Sequence, residues 1–269
     1  MKVAIIAIAK NEELYINEWI NYHLSLGFDN IIICDNDDEL ILPSVINNDR
    51  VIIEDYTKIE AVQPKAYTDM FIKYRKDFDW FLFIDVDEFL FLEKHKNVKD
   101  FISEFQDNVD VIRLNWKHYT DSERLDVIDG DYKVLGRFPT SVHTDLDFYA
   151  KPFIKTKINV EDKDIHIRAH GFYLDGLNAV DAIGHKCNSI YERIKNVIYE
   201  NAWINHYRTK TIGEYIRQKY FRGSCNGVSG RYREWKEYFF KTNIVRDEKI
   251  KYAEELIEKI NKEKNNKNV

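Results

Sequence analysis

Glycine and proline are scarce in this chain, with ten glycines and four prolines in 269 residues. Neither G-x-G-x-x-G nor G-x-x-x-x-G-K-[ST] occurs, so no glycine-rich loop is available to cradle phosphates. G-x-S-x-G is also missing, which removes the nucleophile elbow of serine hydrolases. The three cysteines, Cys34, Cys187 and Cys225, show no C-x-x-C spacing. An odd, dispersed set supports neither a disulfide framework nor a zinc cluster and fits a reducing cytoplasm. No stretch approaches the roughly 18 apolar residues of a membrane-spanning helix. The start, Met1 to Lys10, mimics a signal peptide because Ala7-Ile8-Ala9 resembles a cleavage site. Its apolar run is short and its removal would delete the first candidate strand, so it reads as structure.

What is abundant is aromatic and apolar. Phe, Trp and Tyr make up 14% and hydrophobic residues 44%, which excludes disorder for most of the length. The net charge of −6 is uneven: residues 208–269 hold 16 Lys+Arg against 9 Asp+Glu, a balance of +7 that leaves −13 for residues 1–207. A basic tail on an acidic body points to a phosphate-rich partner, an anionic membrane surface or a solvated helical face.

Strand and helix patterns alternate along the chain. Val3 to Ala9 reads as a buried strand, and Asn11-Glu12-Glu13 as a helix cap with first-turn acids. Trp19, Tyr22, His23 and Leu26 recur at helical spacing until Gly27. Ile31 to Cys34 and Val51 to Ile53 are further strands, each followed by acids, and Pro64 to Tyr74 has helical period. This order predicts a largely parallel α/β sheet with ligands along one edge.

The centre of the pattern is Trp80-Phe81-Leu82-Phe83-Ile84-Asp85-Val86-Asp87-Glu88. Five large apolar residues predict a strand buried on both faces, and two carboxylates one residue apart stand at its carboxyl end. Ligands of open α/β sheets bind there, and Mg²⁺ or Mn²⁺ bridges such carboxylates to substrate phosphates. Asp85 and Asp87 are therefore candidates for a metal–nucleotide site.

Four blocks together resemble a known family. They are Ala9-Lys10-Asn11-Glu12 with Glu18 to His23, Leu26-Gly27-Phe28 and Asp35-Asn36; Trp80 to Leu90; Ile112-Arg113-Leu114-Asn115-Trp116 with Tyr119 to Ser122; and Ile204-Asn205-His206-Tyr207-Arg208-Thr209-Lys210-Thr211 with Glu214 and Arg222-Gly223. Ala169-His170-Gly171 matches a shorter segment. The chain resembles bacterial glycosyltransferases of the family-2-like group, related to the family 92 (DUF23-type) enzymes. Thr120, Ser122 and Ala169 stand where that pattern usually has Gly, Asn and Pro.

The resemblance implies a GT-A fold, Rossmann-like with a mostly parallel mixed sheet flanked by helices. It also implies a metal-dependent glycosyltransferase of hexosyltransferase type. The donor would be a nucleotide diphosphate sugar, expected to be a UDP-sugar, and the acceptor a glycan or lipid-linked saccharide in cell-surface polysaccharide synthesis. Mn²⁺ or Mg²⁺ would be held by Asp87, Asp85 and His206, with His170 as the competitor of His206. The donor would meet Ala9, Asn11, Glu12, Asp35, Gln63, Lys65, Asp85, Arg208 and Lys210. For an inverting reaction Asp121 is the expected base, against its alternative as a turn residue. The expected division is residues 1–210 as the catalytic domain and 211–269 as a basic helical extension, with helices at Thr211 to Phe221 and Asp247 to Glu263. Tyr232, Trp235, Tyr238, Phe239 and Phe240, interleaved with Arg231, Arg233, Lys236 and Lys241, would fit a membrane surface or an oligomer contact. A cytoplasmic enzyme at the inner membrane face, with no nucleic-acid partner, is the expectation. A sugar nucleotidyltransferase or a non-catalytic sugar-nucleotide-binding module is the alternative.

Overall fold

A computed structural model describes residues 1–60, 62–128, 130–188, 193–221 and 234–267. Arg222, Gly223, Cys225, Arg231, Tyr232 and Arg233 therefore lie outside the described residues. The chain begins β1 (Val3–Ala9), α1 (Ile16–Ser25), β2 (Asn30–Asp35), α2 (Leu42–Val45), β3 (Val51–Asp55), α3 (Gln63–Tyr74), β4 (Trp80–Phe83), β5 (Glu88–Leu92) and α4 (Val98–Ser103). It continues β6 (Val111–Tyr119), β7 (Ser141–Val142), β8 (Ala150–Lys155), β9 (Ile167–Arg168), β10 (Gly171–Phe172), β11 (Ala179–Asp181), β12 (Lys186–Cys187) and β13 (Ala202–His206). The last elements are α5 (Ile212–Tyr215), which runs into a π-helical turn at Ile216–Tyr220, then α6 (Trp235–Phe239) and α7 (Asp247–Lys267).

Among the described residues the main sheet runs β12-β11-β6-β8-β4-β1-β2-β3, with β13 and β7 branching from β6 and β5 pairing with β13. Strands β4, β1, β2 and β3 are mutually parallel, as the alternating pattern predicts. Strand β8 is antiparallel to both β4 and β6, which makes the sheet mixed. Along β1, Val3, Ile5, Ala7 and Ala9 pack on one face with Trp19 and Ile20 of α1 and Phe101 of α4. Ala4, Ile6 and Ile8 pack on the other with Tyr67, Met70 and Phe71 of α3. A strand buried on both faces must be apolar at every position, which is why these strands read as unbroken runs.

One local expectation changes, and two further strands come into view. Helix α1 starts at Ile16 after Tyr15 and has no side-chain cap. Asn11 instead takes φ +53, a left-handed conformation that asparagine tolerates, and turns the chain at the end of β1. The Ile112 to Trp116 block lies on β6, which runs from Val111 to Tyr119. Strand β8 was hidden because it carries Pro152, which argues against a strand inside a sheet. Its ladder to β4 stops at Phe153, so Pro152 pairs only with Arg113 of β6.

Candidate active site

The carboxyl ends of β1, β2 and β4 open onto one edge, and Asp85 and Asp87 follow β4 in the turn that leads to β5. Strand β5 pairs antiparallel with β13, and β13 pairs parallel with β6. The register sets Glu88 beside His206 and His206 beside His118, three ionisable side chains in one row across three strands. Paired residues share a sheet face, so residues far apart in sequence meet here.

Asp87 is 6% exposed and pairs with Lys219 in the π-helical turn. Burial opposes its charge, but Lys219, His206 and Lys210 outweigh that and hold its carboxyl well below the usual carboxylate range. Its Oδ1 lies 3.6 Å from His206 Nε2. Burial pushes the His206 imidazole down to about 3, so the ring is neutral at physiological pH. Among the described residues, Nδ1 of His206 and Nε2 of His118 are buried with no hydrogen-bond partner.

Asp85 accepts from Gln63 Nε2 at 2.8 Å and Tyr67 Oη at 3.1 Å, and pairs with Lys151 at 2.7 Å. Lys151, on β8, also reaches Glu88 at 3.2 Å. The Glu88 carboxylate accepts from Trp116 Nε1 at 2.8 Å and from the Asp85 N–H at 2.9 Å. Burial pushes the Glu88 carboxyl up against the pull of Lys151. Burial alone would lower Lys151, yet Asp85 and Glu88 together hold it above its ordinary range. Lys151 thus keeps charge on a fully buried strand by serving two carboxylates.

At the end of β1, the carbonyl of Ala9 accepts from the Asn36 N–H at 2.8 Å. The Asn11 N–H donates to Asp37 at 2.6 Å, and the Asn11 carbonyl accepts from Gln218 Nε2 at 2.8 Å. Glu12 lies 3.9 Å from Lys210, whose ammonium sits 4.2 Å from the centre of the Tyr15 ring. Burial pulls Lys210 below the ordinary lysine range. Arg208 is buried, stacks 3.5 Å from the centre of the Tyr238 ring, and has an unpartnered Nη1 among the described residues. Glu214 binds Arg137 at 2.7 and 3.0 Å and accepts from Tyr15 Oη at 2.9 Å, which anchors α5 and the turn carrying Lys219.

The structure brings Asp85, Asp87, Gln63, Glu12, Asn11, Lys210 and His206 into this connected network. Others are placed differently. Asp35 spends its carboxylate on the N–H groups of Asp37, Ile41 and Leu42. Its neighbour Asp37 is the one with a free buried oxygen, and burial pushes its carboxyl up to about 6. Lys65 is exposed on α3 and pairs with Asp69 one turn on. His170 packs its ring against Trp116 at 4.6 Å and Tyr149 at 5.1 Å. Asp121 is buried in an ion pair with Lys249 of α7 at 2.7 Å and accepts from the Glu123 N–H at 3.0 Å. Sequence reasoning passed over Lys151, His118 and Lys219. A lysine and a histidine inside otherwise buried strands were the available signal for the first two.

The residues fit a divalent cation. Asp87, Glu88 and His206 each offer a ligand atom, all within 4.8 Å of one another. The 3.6 Å between Asp87 and His206 is too long for a hydrogen bond. It suits two ligand atoms that share one ion at about 2.1 Å each, which stand roughly 3 Å apart.

The family model of glycosyltransferase family 92 matches residues 3–266. The chain belongs to glycosyltransferase family 92. Comparison with curated proteins gave no match. Among solved structures, S. aureus TarS 1–349 is similar at 15% identity over 89% of this family 92 chain and 78% of that one, with a TM-score of 0.43. Its UDP complex matches at 18% identity over 63% of this chain and 51% of that chain, TM-score 0.42. In the UDP-GlcNAc complex the identity is 20%, the TM-score 0.37, and the match covers 48% of this chain and 37% of that chain. The match to the UDP-GlcNAc complex thus spans little more than a third of that chain's length.

Proposed function

We propose that this family 92 protein transfers a sugar from a nucleoside diphosphate donor, a UDP-sugar, to a glycan or lipid-linked saccharide, with Mn²⁺ or Mg²⁺ held at Asp87 and His206. The observation that carries this reading is the buried Asp87–His206 pair at 3.6 Å with a neutral imidazole. The cation would supply Lewis-acid stabilisation of the departing diphosphate. The chain's own residues do the rest. Asp85, fixed by Gln63, Tyr67 and Lys151, is held toward the same edge as the donor's ribose would be. Arg208, Lys210 and Lys219 form a cationic wall at the end of β13, suited to the charge that develops on the diphosphate. Family membership favours glycosyl over nucleotidyl transfer, and the acidic Asn11-Glu12-Glu13 turn agrees.

The ion pair with Lys249 favours a structural role for Asp121 over that of base. The division into residues 1–210 and 211–269 is retained as a proposal, with Gln218 and Lys219 of the extension reaching into the site. Among the described residues no helix is long and apolar enough to cross a membrane. Ile244 and Val245 are exposed beside Lys241 and Arg246 in the basic tail, which supports peripheral contact with an anionic membrane face inside the cell.

Calorimetry with UDP-sugars tests the proposal. Binding with Mn²⁺ that disappears in EDTA is the expected result. Equal affinity in both conditions would remove the cation from the mechanism, and no binding of any nucleotide sugar would overturn the activity.

A further inference from the structure

We propose that Lys219 and the cation are alternative partners of Asp87, and that the ammonium displaced by the cation passes to the donor's diphosphate, so that the two ligands bind as a coupled pair. The inference rests on the cation reading above and deepens it. Lys219 stands in the π-helical turn Ile216–Tyr220 and pairs with Oδ2 of Asp87, while Oδ1 of the same carboxylate faces His206. A cation on Oδ1 and an ammonium on Oδ2 stand far inside the roughly 8–10 Å over which salt screens charge, and a buried carboxylate screens them less still, so the two repel.

The other carboxylates of the site give a displaced ammonium nowhere to go. Lys151 holds Asp85 at 2.7 Å and Glu88 at 3.2 Å, and Lys210 lies 3.9 Å from Glu12. Every carboxylate of the network already has a lysine beside it, so a doubly charged ion adds positive charge that no acid there offsets. A nucleoside diphosphate brings that negative charge, and its phosphate oxygens are the acceptors a lysine ammonium seeks.

The turn suits an exchange made by the side chain alone. Arg217 Nη1 donates to Asp126 at 2.6 Å, Asp126 also accepts from Tyr252 of α7, and Gln218 donates to the Asn11 carbonyl at 2.8 Å. The two residues before Lys219 are thus fixed to the body of the protein. Asp87 is fixed as well, since its carbonyl accepts from the Tyr207 N–H at 2.9 Å. What is left to move is the flexible four-carbon stem of Lys219. Lys219 is partly exposed, whereas Asp87, Glu88 and His206 are buried, so its ammonium can change partners at the rim without opening the site.

Calorimetry with Mn²⁺ and UDP as probes reads two opposite signs in folded Lys219→Met. Mn²⁺ alone is expected to bind about 10-fold tighter, because its competitor is gone, and UDP at saturating Mn²⁺ about 10-fold weaker, because the ammonium no longer meets the phosphates; both lie in the range usual for coupled sites. Tighter Mn²⁺ with unchanged UDP affinity makes Lys219 a static partner of Asp87, and weaker UDP with unchanged Mn²⁺ affinity makes it a phosphate contact only. Either result overturns the proposal. Lysine acetylation of the wild-type protein, read by mass spectrometry, tests the exchange without a variant. Labelling of Lys219 should rise with Mn²⁺ alone and fall again when UDP is added. Unchanged labelling with Mn²⁺ bound overturns the exchange and leaves the cation site standing, whereas absence of Mn²⁺ or UDP binding to the wild type overturns the underlying functional reading as well.

Discussion

Two sets of buried histidines divide this molecule. His23 sits in the core on α1, with Nδ1 2.8 Å from the Trp19 carbonyl and Nε2 accepting from the Leu90 N–H at 3.2 Å. Both nitrogens are used, and they agree on one neutral tautomer. His118 and His206 are as deeply buried, yet each leaves one nitrogen unmatched among the described residues. Burying a polar group without a partner costs free energy, so a fold optimised for stability alone would have paired them. His170, packed against Trp116 and Tyr149, also leaves its Nδ1 unmatched among the described residues, so what sets His206 apart is its Nε2 facing Asp87 at 3.6 Å. Asp121, like His23, is buried with partners at hand, Lys249 at 2.7 Å and the Glu123 N–H at 3.0 Å.

The comparison breaks most visibly at Asp87. Asp87→Asn keeps the shape and removes the anion that His206 faces, so cation affinity measured by calorimetry should fall by at least about 10²-fold, beyond the loss typical of an outer-shell carboxylate. The melting temperature should move far less, and a variant that retains Mn²⁺ affinity would remove Asp87 from the site. Asp121→Asn should act the other way. It strands Lys249, with Glu123 and the Ile244 carbonyl, each at 3.4 Å, to compensate, and should destabilise the fold by about 3 kcal/mol in chemical denaturation. The transfer rate of the folded fraction should stay near wild type. A rate loss of about 10²–10⁴-fold with unchanged stability would instead make Asp121 the base.

His23 gives the smallest effect. His23→Leu roughly conserves volume but leaves the Leu90 N–H without its acceptor, a cost of about 1–3 kcal/mol. The pH dependence sharpens the assignment. Burial lowers the folded His23 to about 3, below its unfolded value of 6.5. Its contribution is therefore fully present above pH 6.5 and is lost as pH falls toward 3, because the unfolded chain binds the proton first. Denaturation midpoints across that window should slope less steeply in the variant than in the wild type, the remainder coming from groups such as His206 that burial lowers likewise. A slope that survives unchanged would assign it to other groups.

The parts legible in the sequence were those that repeat a local rule. Strands β1, β2 and β4 are buried on both faces, which forces continuous apolar runs, and the acids that follow β2 and β4 mark the ligand edge. Lys65 shows the limit of such rules. The family resemblance gave it a donor role at the start of the helix before β4, but in the structure it is exposed to solvent beside Asp69. Asn11 shows another. A cap residue before acids has a helix-start signature, yet the chain needed a left-handed turn there before α1 began.

By itself the sequence determined the α/β class, the carboxylate pair after β4 and the His206 block, since each depends on neighbours within a few residues. The tertiary structure alone decided which side chains share the site. The row Glu88–His206–His118 exists because an antiparallel and a parallel pairing bring together strands more than 80 residues apart in the chain at the nearest non-adjacent step, a register no local pattern encodes. Lys151 joins it because β8 runs antiparallel between β4 and β6, and Lys219 because a π-helical turn carries it back to Asp87. Charges buried at such distances in sequence are selected by their partners across the fold, and those partners exist only once the sheet has closed.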